Sequence, residues 1–150
     1  MAKPLIRVTF TPKNPGVNFK KILPKYRQKW KKRMFDFRNS AKKALQIRIP
    51  VRTGRTRSSI QARTKLNNQN MSGTITVGSD SPVLKFLDKG TRPSPGRYLP
   101  ILGRRVTTGI HPGIRALNII SQAKHDIDNL SKTVVKDLKR DFKKSIKDSF

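Results

Sequence analysis

Few residues in this chain have the types and spacing that chemistry requires. Thr53-Gly54-Arg55-Thr56-Arg57-Ser58 sets a glycine turn beside two guanidinium groups and three hydroxyls. Backbone amides and arginines in such a turn could cradle a phosphate. The Gly-x4-Gly-Lys-Ser/Thr spacing of a nucleotide loop is missing, however. The competing reading is a tight helix-to-strand turn with solvated arginines. His125-Asp126-x-Asp128 has metal-ligand residue types. On a helix, His125 and Asp128 share a face while Asp126 points elsewhere, so the three do not converge. His111, beside Pro112-Gly113, is distant in sequence. No Ser-His-Asp arrangement is legible. The chain has no Cys, and all 8 of its acids are Asp. Thiol nucleophiles, disulfide frameworks and zinc ribbons are therefore excluded. The expectation is a protein without catalytic activity, cofactor or metal.

Charge is the stronger signal. In 150 residues, 35 Lys+Arg face 8 acids, giving a net charge of +27 and a pI of about 11.6. Apolar residues make up only 34%. Such a composition weakens an isolated compact monomer, because little apolar surface opposes strong self-repulsion. The charge must meet either a polyanion or acidic neighbours, and a nucleic acid is the first expectation. Residues 20–48 hold twelve Lys/Arg against Asp36 alone, and residues 52–65 hold five with no acid. Residues 124–148 hold eight against five Asp, the most nearly balanced part. The positive surface thus belongs to the folded body. No apolar run approaches the ~18–20 residues that span a bilayer. Met1-Ala2-Lys3-Pro4 lacks the apolar stretch of a secretory signal.

The elements that must position these residues follow from periodicity. Residues 4–10 alternate weakly and predict a strand. Pro12, Asn14, Pro15 and Gly16 mark a loop. Residues 19–47 predict a long helix, regular from about Pro24, with Tyr26, Trp30, Met34, Phe37, Ala41 and Leu45 on one face. Trp30 could stack on a base, but a stripe at this spacing is ordinarily core. Pro50 and Gly54 break the helix. Residues 58–66 and 74–78 predict a hairpin, with Ile60, Ala62, Thr64, Leu66, Ile75 and Val77 facing inward. Ser81-Pro82 opens a short helix over 83–88 that stops at Gly90. Residues 91–97 read as an open loop, 98–101 as a strand or extended arm, and 102–115 as a long excursion of the kind that a partner orders. Residues 116–148 predict a second long helix carrying Leu117, Ile120, Ala123, Ile127, Leu130, Val134, Leu138, Phe142 and Ile146. On it Asp128–Lys132, Asp137–Arg140 and Asp141–Lys144 are spaced as favourable pairs. The expectation is one α+β domain, a small antiparallel β-sheet packed against two long α-helices with an extended arm. It divides into 1–48 (strand and long helix), 49–90 (hairpin and short helix), 91–115 (arm) and 116–150 (basic helix).

Several motifs in fixed order carry a resemblance. They are Ile49-Pro50-Val51-Arg52-Thr53-Gly54-Arg55-x-Arg57-Ser58-Ser59-Ile60, then Phe86-Leu87-Asp88-Lys89-Gly90-Thr91-Arg92-Pro93, then His111-Pro112-Gly113. Over roughly residues 35–125 the chain resembles the neck and tail-completion proteins of tailed bacteriophages, also grouped as head–tail connector or minor tail components. In that family a long helix leads into a P-V-x-T-G-x-L-x-x-S-I segment, a hairpin, a short helix ending in E-x-G-T, a loop and a final helix. Here Thr56 replaces the apolar residue, Asp88-Lys89 replaces the Glu, and Ser79–Val83 replaces an aromatic segment. The resemblance implies a homo-oligomeric ring in the virion neck, assembled in the host cytoplasm. Its implied partners are the portal or adaptor, other neck proteins, and the tail terminator or tail tube, with double-stranded DNA in the lumen. Arg52, Arg55, Arg57 and Arg63 are then candidates for contact with DNA or a partner. Gly90, Thr91, Arg92, Pro93, Arg97, Arg104, Arg105, His111, Pro112 and Gly113 form the candidate inter-subunit arm. The alternative expectation is a basic protein that binds DNA or RNA without sequence preference.

Overall fold

The computed structural model describes residues 3–11, 24–50, 54–68, 71–95, 98–99, 104–105, 110–111 and 113–147. Its frame is α+β. Strand β1 (Lys3–Phe10) precedes helix α1 (Pro24–Arg48), a single helical turn α2 (Arg55–Ser58), the hairpin β2 (Ile60–Asn67) and β3 (Ser72–Ser79), and helix α3 (Pro82–Lys89). Helix α4 (Ile119–Lys147) is the last element among the described residues. The three strands form an antiparallel sheet in the order β1-β3-β2, with β3 central.

Helix α1 begins at Pro24, whose missing N–H is unneeded in a first turn. It ends before Pro50, which disfavours helical geometry at Ile49. Its buried stripe is Tyr26, Trp30, Met34, Phe37, Ala41 and Leu45, at steps of three and four. Trp30 is therefore core and is not a stacking platform. The stripe lies across β2 and β3 and meets the inward row Ile6, Phe10, Ile60, Ile75 and Val77. Phe10 and Phe37 meet edge to face at 5.2 Å between centroids. Each such large side chain contributes roughly 1.5–3 kcal/mol when fully buried.

Four expectations are corrected. The run from Arg55 to Ser58 is a helical turn and the strand starts at Ile60, because Gly54 takes φ 73° and launches the turn. Ser81 makes no side-chain cap on α3, which instead closes through the Leu84 amide donating to the Ser81 carbonyl at 3.3 Å. The two long helices do not share the sheet. Helix α1 covers it, while α4 packs along α1 and reaches the sheet at β1. Finally, α4 starts at Ile119, which is buried with Ala123 and Ile127, while Leu117 and Leu130 are exposed. Leu117 precedes α4, with its amide bonded to the Leu87 carbonyl, so the buried stripe of the helix begins at Ile119.

The excursion is not an open loop. Strands β4 (Ser94–Pro95) and β7 (Ile110–His111) pair, as do β5 (Tyr98–Leu99) and β6 (Arg104–Arg105). Ahead of them Thr91 bridges to Ile114. These antiparallel pairs are nested in sequence, form two separate two-stranded ladders, and differ in register by two residues between β4–β7 and β5–β6. Four short β elements with Gly and Pro between them hid this pairing, since none is long enough to show alternation.

Candidate functional site

The base of this segment of short ladders is fastened by two sequence motifs meeting in space. Thr91 and Ile114 exchange backbone hydrogen bonds at 2.8 and 3.2 Å, and the Thr91 hydroxyl also accepts from the Ile114 amide at 2.9 Å. Gly90 and Gly113 flank this bridge with φ of 72° and 81°. A Cβ at Gly90 would sit 2.5 Å from the Ile114 carbonyl oxygen, and one at Gly113 would collide with the Thr91 carbonyl oxygen. Glycine is thus required at both positions by conformation and by space.

Immediately before the bridge, α3 is joined to the start of α4. The Leu87 and Asp88 carbonyls accept from the Leu117 and Asn118 amides at 3.0 and 3.1 Å. The Asp88 carboxylate accepts from the Ile120 amide at 2.8 Å. Asp88 therefore caps α4 from 32 residues away and places a negative charge at the positive end of its dipole. Sequence reading saw only a helix stop here. The signal was invisible because an N-cap is ordinarily sought next to its own helix. Arg92 and Pro93 are exposed just beyond the bridge. Arg104, Arg105 and His111 lie in the paired strands, and Arg97 and Pro112 fall outside the described residues.

The arginines proposed for contact have separate fates. Arg52 lies outside the described residues. Arg55 is exposed on α2. Arg57 turns back: its Nη2 donates to the Ile49 carbonyl at 3.0 Å, while its own carbonyl accepts from Gln46 Nε2 at 3.0 Å. It thereby holds a cation just past the C-terminal end of α1, where the helix dipole favours it. Within the Thr53–Ser58 stretch, the Ser58 amide donates to the Gly54 carbonyl and the Ser58 hydroxyl to the Arg55 carbonyl. The Ser59 amide and hydroxyl likewise close on Arg55 and Thr56. Among the described residues these groups build the turn. Arg63 is exposed on the outer face of the sheet, in register with Thr76 of β3 and, beyond it, Arg7 of β1.

Asp126, Asp137 and Asp141 of α4 serve packing, while Asp128 is exposed. Arg33 of α1 holds Asp137 at 3.1 Å and Asp141 at 3.0 Å, and Arg48 holds Asp126 at 2.9 Å and Gln122 at 3.1 Å. The two arginines are fifteen residues apart, as are Asp126 and Asp141, so the antiparallel helices carry ion pairs about 22 Å apart along the seam. Arg140 joins Asp137 as the spacing predicts. Beyond the Arg33 clamp, toward the start of α1, Tyr26 donates to the Leu138 carbonyl at 3.2 Å and packs on Phe142. Burial, and then the Asp141 carboxylate, push its phenol up to about 12. His125 faces Asn129 at 3.2 Å while Asp126 is taken by Arg48, and among the described residues no three metal-ligating side chains cluster. Among the same residues no helix is long and apolar enough to cross a membrane.

Comparison with protein-family models, curated proteins and solved structures finds no match.

Proposed function

We propose that this chain is a structural virion protein of a tailed-phage neck, one subunit of a ring that joins the DNA-filled head to the tail. The observation that carries the reading is the bridge at Thr91–Ile114, which fastens the base of the segment that carries the short paired ladders. The arm leaves the body at a fixed point, where α3 and α4 are already joined. Its ladders of two residues each gain little stability alone, so a neighbouring subunit is the natural surface to complete them. A ring subunit needs little stability of its own, because assembly adds to it by mass action. The +27 charge suits a lumen that holds DNA by its phosphates without reading bases. The role is structural and non-catalytic. The portal or adaptor lies on one side, the tail terminator or tube on the other, and assembly takes place in the host cytoplasm.

Electron microscopy of the purified protein and of particles tests this reading. Closed rings, and the subunit located between head and tail, are the expected result. Gly113→Val, which displaces the arm at its base, is expected to abolish rings while circular dichroism retains the helices. A strictly monomeric protein that is absent from particles overturns the proposal in favour of a free, sequence-nonspecific nucleic-acid binder.

A further inference from the structure

The sheet has two faces of opposite character. Ile6, Val8, Phe10, Ile60, Ala62, Ile75 and Val77 turn one of them to the core. Register places Arg7, Thr76 and Arg63 in one row across the other face, and Thr9, Thr74 and Lys65 in the next. Arg7, Thr9, Gln61, Arg63 and Lys65 are all exposed. None of the three strands contains an acid. The ion pairs between described residues involve Arg33, Arg48 and Arg140, none of them on the sheet. Strand spacing puts Arg7 and Arg63 about 10 Å apart, with Lys65 about 7 Å further along β2. At that end a shallow cleft of about 300 Å³ is lined by Thr9, Thr11, Lys65, Asn67, Ser72 and Thr74, among others.

We infer that this outer sheet face is the surface on which the protein takes the phosphate backbone of double-stranded DNA. The inference rests on the neck reading only for its biological setting. Its residues, Arg7 and Lys65 beside Arg63, differ from the turn arginines that sequence motifs pointed to. Charge complementarity decides the class of partner. Between the cations lie threonine hydroxyls, a flat polar floor of donors that suits phosphate and sugar oxygens. A protein partner needs an apolar centre to the interface, and these two rows supply no apolar side chain. The contacts carry no base-edge geometry, so binding is indifferent to sequence and steeply dependent on salt.

The test uses the full chain and the triple variant Arg7→Gln/Arg63→Gln/Lys65→Gln. Anisotropy titrations with two 30-bp duplexes of unrelated sequence are run from 50 to 200 mM salt. The expected result is equal affinity for both duplexes in the parent. In the variant the log–log salt slope falls by about 2–3, and affinity falls on the order of 10–100-fold, since each phosphate contact contributes about 0.9 to the slope. A matched variant, Lys43→Gln/Lys132→Gln/Lys139→Gln, removes the same charge from exposed helix positions and is expected to change the slope by less than one. Equal losses in both variants would show that only net charge matters and overturn the inference. Competition by poly-glutamate as effective as by duplex would assign the face to an acidic protein and overturn it as well. Microscopy separates the two proposals. Rings whose duplex binding ignores the triple substitution sink this inference alone. A monomer whose duplex binding is lost in the triple variant sustains it and sinks the neck reading.

Discussion

Along the α1–α4 seam, Arg33 and Arg48 each meet carboxylates at about 3 Å, and the same two helices bury Trp30, Met34, Ala123 and Ile127. On the outer face of the sheet, Arg7, Arg63 and Lys65 lie among threonines on strands without an acid. The protein has only 8 acids to distribute, and four of them, Asp88, Asp126, Asp137 and Asp141, cap α4 or tie it to α1. Negative charge is placed where two cationic helices must lie side by side, and the strands of the sheet carry none. An arginine's company, rather than its presence, distinguishes a cation engaged in packing from one on the open surface.

That contrast can be broken most forcefully in the core both regions share. Phe37→Ala is expected to cost about 3–5 kcal/mol in denaturant unfolding, since Phe37 is buried between α1 and β1 against Phe10. A loss under 1 kcal/mol would mean that the helix layer does not depend on the sheet.

The seam also carries a titration. The Tyr26 phenol, raised from 10.0 to about 12 in the folded protein, keeps its proton where the unfolded chain has lost it. Its stabilisation is complete below pH 10 and disappears as pH rises through 12. Two units at about 1.4 kcal/mol each make this roughly 2–3 kcal/mol. Ultraviolet titration of a Tyr98→Phe variant isolates the Tyr26 step. Tyr26→Phe is expected to remove that alkaline contribution from the unfolding free energy.

Asp137→Asn/Asp141→Asn is expected to lower stability by about 1–2 kcal/mol, because it leaves Arg33 without either carboxylate on a half-exposed seam. Asp128→Asn, at an exposed position on the same helix, is expected to stay within about 0.5 kcal/mol. Equal effects would erase the distinction between seam and surface.

The smallest effect sharpens the other side. Arg7→Gln/Arg63→Gln/Lys65→Gln is expected to leave thermal stability within about 0.5 kcal/mol at 150 mM salt and to raise it slightly at low salt, where self-repulsion is strongest. Destabilisation comparable to the seam variant would make these residues structural.

Much of the frame was legible from single elements. Tyr26, Trp30, Met34, Phe37, Ala41 and Leu45 could be assigned to one face because 3.6 residues per turn leave little choice. Ile60, Ile75 and Val77 followed from strand alternation in the same way. The tie that Arg57 makes within the fold was not legible. Nothing in its neighbourhood announces that the Ile49 carbonyl, eight positions back, lies within reach. The arm was misread as open because paired segments of two residues carry no period. Its two fastening glycines were visible as turn signals, but their meeting was not.

From its residues alone, this protein could be read as α+β, with an excess of positive charge and without cysteine or glutamate side chains. Composition and local periodicity are properties of neighbours along the chain, and they survive without a fold. Which arginines are neutralised, that Asp88 caps a helix beginning some thirty residues later, and that Arg7 shares a row with Arg63 were settled only by tertiary packing. Those contacts join residues up to 108 positions apart, and only the packing of α4 along α1, and the register of β1 on β3, brings them within hydrogen-bonding distance or onto one face.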